Sequence, residues 1–84
     1  MLELDVASVR GFPVEDLNVP LVDLGGFEAP HAQIRLDDTV YSYRQTFPVM
    51  GHSAVMPQHL RSLIDQGHDV LLARRGERYY VYVA

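Results

Sequence analysis

The sequence predicts an α+β fold: a small antiparallel sheet of five or six strands with one main helix between two β-hairpins. Hairpin patterns over residues 32–47 and 69–84, and a helical apolar stripe between them, are the observations behind this prediction. The chain has 84 residues, which suits a single domain spanning 1–84. Hydrophobic residues make up 48% of it, so the chain is apolar enough to fold around a core.

The N-terminal segment predicts one strand followed by an irregular stretch. Apolar side chains alternate with others from Leu2 to Val9, which is typical of a half-buried strand. Gly11-Phe12-Pro13 interrupts the alternation. Val14 to Asn18 then suits one helical turn, because acidic residues near its start would complement the helix dipole.

The next segment, Val19 to Leu24, is apolar except for one aspartate. Pro20 has no N–H to give to a sheet ladder, so we expect any strand here to lie at an edge. Gly25-Gly26 ends the segment, and Phe27 to His31 is predicted to be a loop.

The first hairpin is predicted from Ala32 to Leu36 and Thr39 to Phe47, with a turn at Asp37-Asp38. Its second strand is rich in β-branched and aromatic residues. With side chains alternating along a strand, one face would carry Tyr41, Tyr43 and Phe47, and we expect that aromatic face to be buried.

The helix is predicted from about residue 57 to 66, because Met56, Leu60, Leu63 and Ile64 fall on one stripe at helical spacing. Pro57 suits the first helical position, where a missing N–H costs nothing. Gly67 is well placed to terminate the helix.

The second hairpin, Asp69 to Arg74 and Glu77 to Ala84 around a turn at Arg75-Gly76, is apolar on both faces. A ten-residue helix is able to shield only one of them. The other face must meet the segment from Phe12 to Phe27, a second layer or another subunit.

We therefore expect this protein to act by contact, as a homodimer or as a subunit of a larger assembly, with a monomer that completes its own core as the competing interpretation. The expected partner-binding residues are Tyr80 and Tyr82 on the uncovered face, with Phe27 and Tyr43 in support. Tyrosine suits either a core margin or an interface, because its ring buries well and its hydroxyl tolerates water.

Nucleic-acid binding is the alternative function, through Arg74, Arg75 and Arg78 at the tip of the second hairpin. The formal net charge of −4 argues against it, because nucleic-acid-binding domains are commonly basic. Charged residues at a turn also serve to protect a sheet edge.

No catalytic group is predicted. Gly51-His52-Ser53-Ala54-Val55 resembles the nucleophile elbow of α/β-hydrolases, but Val55 replaces the second glycine of that motif. The chain has no Cys, and its four His residues have no metal-motif spacing, so neither a cofactor nor a metal is expected. With no signal-peptide pattern and no membrane-spanning apolar run, we expect a cytoplasmic protein without a membrane partner.

Overall fold

The fold was analysed in a computed structural model, which describes residues 1–25, 31–50 and 55–84. These residues form a mixed seven-strand sheet curved into a half-barrel, one 3-10 turn and one short helix. In chain order the elements are β1 (Leu2–Leu4), the 3-10 turn (Val6–Ser8), β2 (Val9–Val14), β3 (Leu17–Asp23), β4 (Gln33–Leu36), β5 (Thr39–Pro48), α1 (Val55–Asp65), β6 (Val70–Arg75) and β7 (Arg78–Val83).

The predicted antiparallel sheet of five or six strands is wrong. The strand order is β1-β4-β5-β7-β6-β3-β2, and two neighbouring pairs, β1 with β4 and β3 with β6, are parallel. The parallel pairs arise because the N-terminal strands are divided between the two ends of the sheet. β1 lies at one end beside β4, and the β2–β3 hairpin lies at the other end beside β6.

Where one strand was predicted over Leu2 to Val9, a 3-10 turn divides two strands, β1 and β2. The predicted helical turn at Val14 to Asn18 is also wrong. Glu15 and Asp16 form a tight turn between β2 and β3, and Glu15 has φ of 54°. Two-residue hairpin turns need such positive φ values, whereas helical backbone has negative φ.

Pro20 does not place its strand at the edge, contrary to the expectation from sequence. β3 lies between β2 and β6. Its ladder with β6 begins at Leu21, one residue after the proline, so the missing N–H falls just outside the pairing.

Both predicted hairpins and the helix are confirmed. β4 pairs with β5, β6 pairs with β7, and α1 covers most of the predicted range. Pro57 is the third helical residue instead of the first, and it is buried. A proline is tolerated there because N–H groups in the first turn have no partner within the helix. Gly67 has φ of 91°, as a left-handed helix end requires.

A β-bulge in β5 corrects the predicted aromatic face. The register with β7 shifts between Tyr43 and Gln45, so Arg44 is an extra residue. Tyr41 packs against the core of one sheet face, while Phe47 belongs to the core of the other. Beyond the bulge, the odd-numbered side chains of β5 therefore point to the opposite face of the sheet from those before it.

Both faces of the sheet carry a hydrophobic core. The helix-side core joins α1 to the sheet through residues that include Leu60, Leu63, Leu21, Leu72 and Val81. The opposite core contains Val22, Ile34, Leu71, Ala73, Tyr80 and Tyr82, with Leu2 and Leu4 of β1 packed against it. The N-terminal strands therefore cover the face that the helix leaves open.

Among the described residues, no helix has the length and hydropathy needed to cross a bilayer.

Candidate functional site

Tyr80 and Tyr82, expected from sequence to contact a partner, lie inside the protein. Their exposed fractions are 4% and 0%. The Tyr82 hydroxyl donates a hydrogen bond of 2.7 Å to the His31 carbonyl oxygen, and burial raises the pKa of Tyr82 to about 12. A partner would have to displace the protein's own strands to reach either ring.

Tyr43 lies over these two rings and is 39% exposed. Its ring centroid is 5.8 Å from that of Tyr82 and 6.2 Å from that of Tyr80, in edge-to-face arrangements. Its hydroxyl shares a hydrogen bond with Thr46. Tyr43 thus closes the core and shows one side to solvent, and Phe27 lies outside the described residues.

The structure divides the three arginines of the nucleic-acid hypothesis between the two faces of the sheet. Arg74 pairs across the ladder with Tyr79, and its guanidinium carbon lies 5.9 Å from the centroid of that ring. Arg75 pairs with Arg78, and side chains alternate between faces along each strand. The Arg75 guanidinium also donates to the Gly25 carbonyl oxygen at 3.2 Å. Arg75 and Arg78 therefore share one face, and Arg74 lies on the other.

An apolar cleft of about 210 Å³ lies on the helix side of the sheet, beside the first turn of α1. We call it the α1 cleft. Four elements meet there: β2, the end of β5 with the residue after it, α1 and β7. Its lining residues are Phe12, Pro13, Val14, Phe47, Pro48, Val49, Met56, Pro57 and Tyr79.

Aromatic rings form the floor of the α1 cleft. Phe47 and Tyr79 are 9% and 8% exposed, and the ring centroids of Phe12 and Tyr79 are 5.6 Å apart. Pro13 and Pro48 are exposed at its sides. The cleft is thus a solvent-accessible extension of the helix-side core.

Local contacts hold the walls of the α1 cleft in place. The Val49 N–H donates to the Glu77 carbonyl oxygen at 2.9 Å, which fixes the chain leaving β5 against the β6–β7 turn. On the opposite side, Asp16 accepts a hydrogen bond from Arg61 and forms a salt bridge with it. That pair ties the β2–β3 turn to α1, and the Arg61 guanidinium lowers the pKa of Asp16.

The lining of the α1 cleft suits recognition of apolar groups and not catalysis. Of the described residues that line the cleft, Tyr79 alone has an ionisable side chain. The guanidinium of Arg74 lies over the ring of Tyr79 and forms no salt bridge with the described residues. The cleft is therefore able to hold an apolar group beside a positive charge.

His59 of α1 lies behind the floor of the cleft, against the Phe47 ring, with a centroid separation of 5.4 Å. Its Nε2 atom is buried and has no hydrogen-bond partner among the described residues. Burial, with a smaller contribution from Arg44, lowers the pKa of His59. Within residues 1–25, 31–50 and 55–84, no three His, Asp or Glu side chains are grouped closely enough to bind a metal ion. The hydrolase-like segment lies mainly at 51–54, outside the described residues.

Sequence reasoning missed the α1 cleft because its parts are far apart in the chain. The sequence predicts a strand break at Phe12-Pro13, a strand end at Phe47 and an apolar helix stripe at Met56, with nothing to join the three. The repeated Phe-Pro dipeptide was the available signal, since an aromatic ring beside a proline marks a strand end that carries apolar surface.

Comparisons of the chain with models of protein families, with curated proteins and with solved structures find no match.

Proposed function

We propose that this protein acts by binding another protein, and that the α1 cleft receives a segment of that partner. The observation that carries this proposal is an aromatic-floored apolar cleft open to solvent on a chain of 84 residues. Exposed concave apolar surface of this kind is typical of recognition sites, whereas isolated exposed apolar side chains are ordinary.

The size of the cleft limits what it can hold. A cavity of ~150 Å³ accommodates a benzene molecule, so 210 Å³ is enough for one bulky apolar side chain such as Phe, Leu or Met. Burying one such side chain contributes about 1.5–3 kcal/mol, which alone gives only weak binding. The partner segment must therefore contact the sides of the cleft as well.

The charge beside the cleft indicates which residue of the partner should lie next to the bulky apolar side chain, here called the anchor. Arg74 has its guanidinium beside the Tyr79 ring and no carboxylate partner among the described residues. An Asp or Glu next to the anchor would pair with it, and arginine binds carboxylates in a two-pronged geometry. The proposed ligand is thus a segment with a bulky apolar residue followed or preceded by an acidic one.

A phage-displayed library of random peptides, selected on the immobilised protein, tests this proposal. We expect the enriched peptides to share a bulky apolar residue with a nearby Asp or Glu. Met56→Glu places a charge in the cleft and should abolish binding of these peptides. It should not impair folding, because acidic residues are favoured in the first turn of a helix.

Val40→Glu is the matched control. Val40 is 38% exposed and belongs to β5 outside the cleft, so its charge should leave peptide binding unchanged. Peptides selected on Arg74→Gln should still share a bulky apolar residue but should no longer be enriched in a nearby Asp or Glu. No enrichment, or equal binding by Met56→Glu and the parent protein, would refute the cleft as the contact surface.

Nucleic-acid binding through Arg74, Arg75 and Arg78 is the weaker proposal, because their division between two faces prevents them from following one groove together. It requires an affinity for DNA or RNA that falls steeply with salt and with Arg75→Glu. For the contact function we propose a cytoplasmic location, which cell fractionation would test.

A further inference from the structure

The two ends of the sheet differ in how well they could accept another strand. β1, at one end, has three residues. β2, at the other end, has six residues, and no other strand of the described residues pairs with its outer side. At the start of β2 the outward Val9 N–H donates to the Val6 carbonyl oxygen, so the open part of this edge begins after Val9. An unpaired strand edge of this length is a template for another chain.

The hairpin geometry identifies the backbone groups on that outer side. Val14 and Leu17 flank the two-residue turn and so exchange hydrogen bonds, after which bonded and non-bonded pairs alternate. Outward-pointing groups on β2 are therefore those of Val9, Gly11 and Pro13. An independent contact supports this alternation. The Leu24 N–H, just after β3, donates to the Arg74 carbonyl oxygen at 2.9 Å, so the even-numbered residues of β3 direct their backbone groups to β6 and the odd-numbered ones to β2.

We propose that a second copy of this chain pairs with β2 in antiparallel orientation, with Gly11 of one copy opposite Gly11 of the other. A two-fold axis through this point makes the same patch on both copies the interface. Each Gly11 N–H donates to the carbonyl oxygen of the other Gly11, whereas the Val9 N–H of each copy already donates to the Val6 carbonyl oxygen of its own 3-10 turn. The two half-barrels then share one continuous sheet.

The side chains of β2 favour self-pairing. In this register Arg10 of each copy lies opposite Phe12 of the other, and a guanidinium over an aromatic ring is attractive. Arg10 is already held on the correct side by its 3.0 Å salt bridge to Asp23, because residues 10 and 12 share a face. No like charges oppose one another across the pairing.

Pro13 limits the contact to this short stretch. It has no N–H, so it contributes one acceptor and no donor, and pairing cannot propagate beyond it. Gly11 offers both groups and no side chain at the centre, where the two backbones approach most closely. The edge therefore suits a closed dimer better than an open aggregate.

This inference rests on the contact function proposed above and names a second copy of the chain as one partner. The β2 edge adjoins the α1 cleft, because Phe12 and Pro13 belong to both. The test of the dimer is sedimentation velocity of the 84-residue protein from micromolar to millimolar concentration, together with hydrogen exchange of the Gly11 amide. We expect a monomer–dimer equilibrium and Gly11 protection that rises with protein concentration. Peptide selection on the cleft is read out separately, so failure of one proposal is distinguishable from failure of the other.

Gly11→Pro and Gly11→Ala form a matched pair of variants. Either one brings a Cβ to 3.1 Å from the Asn18 side-chain amide, a flexible group that is able to shift. Only proline removes the outward N–H, for which residues 1–25, 31–50 and 55–84 supply no partner. Gly11→Pro should weaken dimerisation about tenfold or more by deleting both Gly11–Gly11 hydrogen bonds, and Gly11→Ala should not.

A parent protein that stays monomeric at all concentrations, with a Gly11 amide that exchanges freely, would overturn the proposal. So would a dimer that Gly11→Pro leaves unchanged, once circular dichroism shows that the variant is folded. A Gly11 amide protected equally at every concentration would also overturn it, because the group would then be paired within the monomer.

Discussion

Replacing Tyr82 by Phe tests whether this ring is part of the core or part of an interface. The substitution deletes a hydroxyl that donates a 2.7 Å hydrogen bond to the His31 carbonyl oxygen and leaves a ring that is 0% exposed. A typical hydrogen bond of this kind contributes about 1 kcal/mol to the free energy of unfolding. For a domain of this size, that loss lowers Tm by roughly 4–8 °C.

The same variant should change how stability depends on alkaline pH. Burial raises the pKa of Tyr82 from 10.0 to about 12 in the folded protein. Between these values the unfolded chain releases the phenolic proton and the folded protein keeps it, so rising pH favours unfolding. The stabilising contribution of the neutral hydroxyl is complete below 10.0 and is lost as pH rises through about 12.

The assay is urea denaturation of the parent protein and Tyr82→Phe at neutral pH and across the alkaline window. We expect the parent to be more stable at neutral pH and to lose stability more steeply above 10.0, so that the difference between the two proteins narrows. Equal stabilities at neutral pH, or parallel alkaline losses, would refute the burial of this hydroxyl. Changes in oligomeric state without a change in unfolding would indicate an interface instead.

Three further substitutions probe the core, the helix end and the helix histidine. Leu60→Ala truncates a residue that is 0% exposed and should lower the free energy of unfolding by about 2–5 kcal/mol. Ile64→Ala on the same helix, at a residue 37% exposed, should lower it much less. Similar losses for both variants in urea denaturation would contradict the packing. Gly67→Ala places a side chain at φ of 91° and should cost about 1–2 kcal/mol, and a neutral result in thermal unfolding would mean that the helix ends differently. Burial lowers the pKa of His59 below 6.5, so the neutral imidazole contributes to stability above pH 6.5, and this contribution is lost as pH falls through the pKa of the folded protein. His59→Leu should therefore make the free energy of unfolding depend less on pH on the acid side. An unchanged slope in urea denaturation at several acidic pH values would contradict the burial of His59.

Local patterns in the sequence were sufficient for the elements formed by neighbouring residues. The second hairpin and α1 follow from turn chemistry and apolar spacing within a few residues. The parallel contacts of β1 with β4 and of β3 with β6 join segments separated by long stretches of chain. Alternation of side chains gives no partner for a strand, so these contacts could not be predicted from it.

The candidate site was less predictable than the fold for the same reason. Phe12, Phe47 and Tyr79 each have the pattern of an inward-facing strand residue, and only the curvature of the sheet brings Phe12 within 5.6 Å of Tyr79. The bulge at Arg44 also turns Phe47 to the helix side, and nothing in the neighbouring residues marks an inserted position. Residue type therefore indicated that apolar surface was present but not where it would remain open.

The second hairpin carries more apolar side chains than α1 covers, and from sequence Tyr80 and Tyr82 were the ones expected to remain uncovered. Both are buried in the structure. In the structure the bulge lets β5 contribute to both cores, and β4 with β1 extends over the open face, so those two rings are enclosed by Ile34, Leu2 and Leu4. On the helix side of the sheet, α1 is too short to cover the whole core. Leu60 and Leu63 cover the middle of the helix-side core, while Phe12 and Met56 at its end stay half-buried around the α1 cleft. A search for partners should therefore begin at the α1 cleft and at the outer edge of β2, which pairs with no other strand in the part of the chain that the structure describes.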